Sequence, residues 1–153
     1  MKKNWKRIGR KNMGLRILVD TNVLLDYLLC RSPYDEAARD IVLACKQRQV
    51  WGCIAAHSIP NMFFILRKAF NVEERRRLLR GLCELFEIEG IDKSKILDAL
   101  ADGTFSDFED CLQKECAIAF QADYIVTRNG DDFKSGKVPT MDPREFCKLL
   151  SDL

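Results

Sequence analysis

Short apolar runs and helical apolar stripes take turns along this chain. Arg16 to Val19 is a brief, nearly continuous apolar run, the kind found in the middle of a parallel sheet. Asn22 to Leu29 follows with helical spacing, placing Val23, Leu24, Tyr27 and Leu28 on one face. Ser32-Pro33-x-Asp35 reads as a helix start, with serine as N-cap and proline in the first turn. Ala37, Ala38, Ile41, Val42 and Cys45 supply that helix's apolar stripe. Val50 to Ala55 reads as a second strand. Ser58 is then expected to cap a helix in which Met62, Phe63, Ile65 and Leu66 recur. Asn71-x-x-Glu74 has the form of a capping box, ahead of a helix with Leu78, Leu79 and Leu82 inside.

The second half continues the alternation. Phe86 to Ile88 reads as a short strand, Lys95 to Ala101 as a short helix, and Asp107 to Phe120 as a longer one. Tyr124 to Thr127 is the next strand. Val138-Pro139-Thr140 fits a last edge strand, where proline is tolerated, and Asp142-Pro143 opens a C-terminal helix ending near Leu150. Strand and helix in alternation predict an α/β fold: three layers, α/β/α, around a central, mainly parallel sheet. There is no internal repeat and no low-complexity linker. The reading is one domain over 15–153, preceded by a basic arm over 1–14.

Charge sharpens that division. Seven of the 25 basic residues fall within the first 16 positions, and all 23 acidic residues lie beyond them. A basic arm on an acidic body suits contact with a polyanion. A flexible leader, or a start at Met13, explains the same pattern equally well. No apolar run approaches the roughly 20 residues that span a bilayer, and no secretory signal is evident, so a cytoplasmic protein with no membrane partner is expected. The seven cysteines are odd in number, form no Cys-x-x-Cys, and lie mostly in apolar segments, as reduced core residues do. Cys53 and His57 lack the second ligand pair of a zinc site, and His57 is expected to be structural.

The chemistry-bearing positions are acids at strand and helix ends. Asp20 closes the first strand, Asp107 and Asp110 share one face of a first helical turn, and Asp132 follows the fourth strand. Each has an ordinary role: helix caps for Asp20 and Asp107, dipole complementarity for Asp110, a polar turn around Asn129-Gly130 for Asp132. Strand ends of a parallel sheet nevertheless converge on one crevice. Carboxylates gathered there repel unless a cation neutralises them, and Mg²⁺ or Mn²⁺ suits such oxygen ligands. Thr127 and Asn129 are placed to orient water or a phosphate. Glu109 is expected to point elsewhere, into solvent.

Together these segments resemble a family. Asp20-Thr21-Asn22 after an apolar strand, Asp110 seven residues before Ala117, and Ile125-Val-Thr127-Arg-Asn129-x-x-Asp132-Phe133 look like a PIN domain, the fold of VapC-type toxin ribonucleases. The resemblance runs from about Leu15 to Leu150. It implies a ribonuclease dependent on Mg²⁺ or Mn²⁺. Asp20 would be the first metal-binding acid and Asp110 the third; Asp132 and Asn129 cover the fourth position, and Thr127 is the supporting hydroxyl. Asn22 and Ser58 would support the site. It also implies a cognate antitoxin as partner and a homodimer. One departure stands out. The family usually has a Glu three residues after a Ser or Thr in the helix after the second strand, and counting from Ser58 that position is Asn61. An amide oxygen brings no charge, so metal affinity should fall unless Asp107 faces the site and compensates.

Two readings therefore stay open: a metal-dependent endoribonuclease with Asp20, Asp110 and Asp132 at its centre, and a weak or inactive PIN module that binds RNA or a protein. Arg67, Lys68 and Arg128 are candidates for holding an RNA backbone, and the Arg75, Arg76, Arg77 and Arg80 cluster reads as a solvated helix face or a seat for an acidic partner. A haloacid-dehalogenase-like phosphotransfer site would need an acid where Asn22 stands. No glycine-rich phosphate loop is present, which argues against a nucleotide cofactor. A single histidine argues against a two-imidazole ribonuclease.

Overall fold

Five strands form the centre of the computed structural model, which describes residues 14–105, 107–133 and 137–153. They are β1 (Leu15–Val19), β2 (Val50–Ala55), β3 (Glu87–Glu89), β4 (Tyr124–Val126) and β5 (Thr140–Met141). Their order is β3-β2-β1-β4-β5, and every pairing is parallel. The sheet therefore grows outwards in both directions from β1. The expected basic arm falls almost entirely outside the described residues.

The pleat assigns side chains to two cores. Ile17, Val19, Ile54 and Val126 face one side, while Leu18, Cys53, Ala55 and Ile125 face the other. The first side is covered by α1 (Thr21–Leu28), α2 (Asp35–Lys46), α3 (Ser58–Ile65), α4 (Val72–Leu85) and α7 (Pro143–Ser151). The second is covered by α6 (Phe108–Phe120) through Cys116, Ala117 and Phe120, with α5 (Lys93–Ala101) packed on α6. This is the three-layer α/β/α arrangement. Gly52 of β2 is a packing requirement: a Cβ there would stand 2.6 Å from the Phe86 ring and 2.9 Å from Cys45 Sγ. Among the described residues, no helix is long and apolar enough to cross a membrane.

Local details depart from the sequence reading at several ends. Helix α2 starts at Asp35, after a turn in which Tyr34 N–H and Asp35 N–H both donate to the Arg31 carbonyl; Ser32 is not its cap. Ser58 does not cap α3 either, because its hydroxyl pairs with Thr21 instead. Phe63 is half-buried and Ile65 exposed, so of the expected stripe only Met62 and Leu66, the latter just past the helix end, are deeply buried. Helix α5 starts two residues early, where Asp92 accepts from Lys95 N–H. The edge strand lies at Thr140–Met141, since Pro139 has no N–H and contributes only its carbonyl, to Ile125. The capping box at Asn71 and Glu74 forms as expected.

Candidate active site

The alternation that builds the cores also aims the site. Asp20 comes one residue after Val19, and Thr127 one after Val126, so both point towards the α6 side of the sheet. Backbone bonds keep them in register: Asp20 N–H donates to the Val126 carbonyl at 3.0 Å, and Thr127 N–H to Met141 at 3.0 Å. Asp20 begins α1 by backbone geometry, but its side chain makes no capping bond. The ordinary role for an aspartate here is therefore not the one it plays.

Asp20 is 4% exposed and held at both oxygens. Gln113 Nε2 donates to Oδ1 at 2.9 Å, and Thr127 Oγ1 donates to Oδ2 at 2.8 Å. Asn129 N–H donates in turn to Thr127 Oγ1 at 3.0 Å. The Thr127 hydroxyl thus has its proton directed at Asp20. Gln113 was not singled out from the sequence. Its signal was its place three residues after Asp110, which puts it on the same helical face. A carboxylate only accepts, so the Gln113 amide must turn its nitrogen to Asp20, and its Oε1 is left buried without a partner.

A cleft of about 410 Å³ opens beside Asp20. Asn22, Asn61 and Phe64 line it from α1 and α3; Asp107, Glu109, Asp110 and Gln113 line it from α6; Asn129 and Phe133 close the β4 end. Asp107 caps α6 by accepting from Glu109 N–H at 2.7 Å, and it also faces the cleft. Glu109 is exposed, as expected, but it faces the cleft rather than away from it. Its Oε1 accepts from Asn61 Nδ2 at 2.9 Å, across the cleft from α3. Ser58 is fully buried, 2.7 Å from Thr21 Oγ1, and ties α3 to α1 beneath the cleft. Asp132 lies in the 3₁₀ turn Gly130–Phe133, and its side chain falls outside the described residues.

His57 sits behind this wall with both ring nitrogens buried and unpartnered. Burial pushes its pKa down, against the upward pull of Glu109, Asp20 and Asp107, so the imidazole is held towards its neutral form.

The basic candidates divide. Arg128 does not face the cleft: it forms a bidentate pair with fully buried Asp26, at 2.8 and 3.1 Å, and stacks over Tyr34. Arg31 adds a longer contact of 3.6 Å to the same carboxylate. Asp26 was hidden in the sequence by its position in an apolar helix. Arg67 and Lys68 are exposed beyond α3, and the Arg67 guanidinium lies 3.7 Å from the centre of the Phe64 ring. Arg75 is turned back onto Phe63, Arg76 pairs with Glu73, and Arg77 and Arg80 are exposed.

A hard divalent cation fits this donor set. Carboxylates and amide oxygens are its preferred ligands, and the orphaned Gln113 Oε1 is an acceptor beside them. Among the described residues, no three carboxylate, imidazole or thiol groups stand together as a ready-made cage.

A family model described as PIN domain matches residues 16–131. The chain belongs to the PIN domain family. No curated protein sequence matches it significantly. Several solved structures share the fold. VapBC2 from Rickettsia felis, bound to a promoter DNA fragment, aligns with a TM-score of 0.62 at 16% identity, covering 84% of this chain and 98% of that one. A toxin–antitoxin complex from Klebsiella pneumoniae gives 0.62 at 20% identity, covering 83% and 97%. FitAcB from Neisseria gonorrhoeae gives 0.60 at 20%, covering 84% and 98%. The PIN domain here is thus matched over nearly the whole length of each of these chains.

Proposed function

We propose that this PIN domain is a divalent-cation-dependent endoribonuclease, acting as the toxin of a toxin–antitoxin pair. The observation that carries the reading is Asp20. It is a buried carboxylate, fixed at both oxygens by Gln113 and Thr127, at the floor of a cleft bordered by further acids. A carboxylate held this firmly in place suits positioning an ion rather than capping a helix. Asp20 and Asp110 would hold Mg²⁺ or Mn²⁺, with Asp132 and Asn129 at the outer side. When bound, the ion supplies charge against the phosphate oxygens and acidifies a water. Thr127 keeps Asp20 oriented throughout. Asn22 and Asn129 offer amide donors at the rim for phosphate oxygens. Phe64 is 61% exposed at the mouth, and the ring face not covered by Arg67 is offered to an unpaired base, a contact worth about 1–3 kcal/mol per base. The similar Klebsiella pneumoniae structure is a toxin–antitoxin complex, which supports the antitoxin partner.

A second reading, a PIN module that binds RNA or protein without cutting, is favoured by Asn61 and by the lack of a ready-made cage among the described residues. Cleavage of a mixed-sequence single-stranded RNA in Mn²⁺ separates the two, with EDTA, Asp20→Asn and Asp110→Asn as controls. Cleavage abolished by all three is the expected result. A folded wild type that leaves the RNA intact over a day rejects the nuclease.

A further inference from the structure

We propose that Glu109 supplies the carboxylate that position 61 lacks, and that Asn61 is the positioning residue that holds it over the cleft. The inference rests on the cation-dependent reading above and assigns that site a further ligand. Asn61 and Glu109 come from opposite walls, α3 and α6, and meet at 2.9 Å. The bond uses Glu109 Oε1 and the amide nitrogen, so Asn61 turns its only cationophobic group, the NH₂, to the acid. Through that bond it acts as a donor that holds the carboxylate in place.

Charge explains why the pair has this form. Two carboxylates within hydrogen-bond distance disfavour each other's ionisation. An acid at position 61 would meet Glu109 head-on. With an amide there, the two walls are bridged and a single negative charge remains between them. Relative to an acid on α3, the charge has moved across the cleft and has not been lost. The backbone of Glu109 is fixed as well, because its N–H is committed to Asp107. Glu109 is exposed and lines the cleft, and its second oxygen, Oε2, is the one offered to an ion or to its water. The unpartnered Gln113 Oε1, buried on the same wall, is a second acceptor in search of a donor. A hydrated cation seated between the walls meets both needs.

Mn²⁺ binding to the full chain, measured by calorimetry and by the paramagnetic resonance signal of free Mn²⁺, tests this without using activity. The comparison set is wild type, Asp20→Asn, Glu109→Gln, Asn61→Ala and the double variant Asn61→Glu/Glu109→Gln. Thermal unfolding confirms that each is folded. Wild type should bind and Asp20→Asn should not. Glu109→Gln should weaken binding about tenfold or more, and Asn61→Ala by about the same order, as lost supporting partners of ligands do. The double variant moves the charge back to α3, keeps an amide–carboxylate bridge, and should recover affinity to within about threefold of wild type. Binding by wild type with Glu109→Gln unchanged overturns the assignment of Glu109 and leaves the cation site standing. A double variant no better than Glu109→Gln overturns the charge-transfer argument. No binding by wild type overturns both the site and this inference.

Discussion

Arg128 is the residue whose removal should do most damage without touching the cleft. Its guanidinium makes two bonds to Asp26, which is fully buried in α1. Removing one partner of a buried ion pair strands the other, a change that costs about 3–5 kcal/mol. Arg128 itself keeps 23% of its side chain exposed, and Arg31 remains 3.6 Å from the same carboxylate. Both features soften the loss, so Arg128→Ala should sit at the lower end, about 3 kcal/mol. Arg31→Ala, which removes a longer and more exposed contact, should cost about 1 kcal/mol or less. Urea unfolding followed by circular dichroism reads these values from the midpoint and slope. Replacing both partners, Asp26→Leu/Arg128→Met, should be less harmful than Arg128→Ala alone, because no charge is left buried. An Arg128→Ala cost below about 1 kcal/mol, or a double variant worse than the single one, would refute this account of Asp26 as a buried anion that needs its partner.

Gly52→Ala should destabilise by about 1–3 kcal/mol, the range for overpacking, because the added methyl meets the Phe86 ring and Cys45 Sγ; thermal unfolding reads it. Lys114 and then Thr104 hold the Asp102 carboxyl well below its ordinary value of 3.8, so its stabilising effect is present above that pH and lost as pH falls through and below it. The stability gap between wild type and Asp102→Asn should therefore be open at pH 7 and narrow below about pH 4; a gap independent of pH counts against the pairing. Cys30 and Cys83 are exposed, whereas Cys45 and Cys53 are buried, with the Cys45 thiol pushed up to about 12 by burial. A thiol reagent at neutral pH should label the first two quickly and the last two only on unfolding, with mass spectrometry of the peptides as the readout.

The sheet and its helices were legible because their apolar periods are clean. β1, β2 and β4 carry continuous buried runs, and α2 and α4 carry regular stripes. The ends were less legible. Ser32 and Ser58 both look like caps, yet a turn intervenes after one and the other bonds to Thr21, a residue 37 positions away. Local sequence cannot weigh a distant partner against a local one. The same limit governed the site. Asp20, Thr127 and Asn129 were legible as polar residues at strand ends, where parallel sheets gather them. Gln113 and Asp26 were not, since each is a polar residue inside an apolar stripe whose partner comes from another element. The exposure of Glu109 was legible but its direction was not, because local spacing gives its helical position and says nothing of Asn61 on the facing wall.

The order of the strands sets when this cleft can exist at all. β1 is the first strand among the described residues and the central one in the sheet. One edge of it waits for β2, and the other waits for β4, more than a hundred residues downstream. Asp20 is made early but is clamped only by Gln113 and Thr127, both late arrivals. During synthesis the emerging polypeptide therefore carries its central acid without the groups that fix it. Any product terminated before residue 124 lacks Thr127, half of that clamp, along with the strand that seals one edge of β1. Assembly of the cleft is tied to near-completion of the chain, and a prematurely ended copy should be inert as well as unfolded.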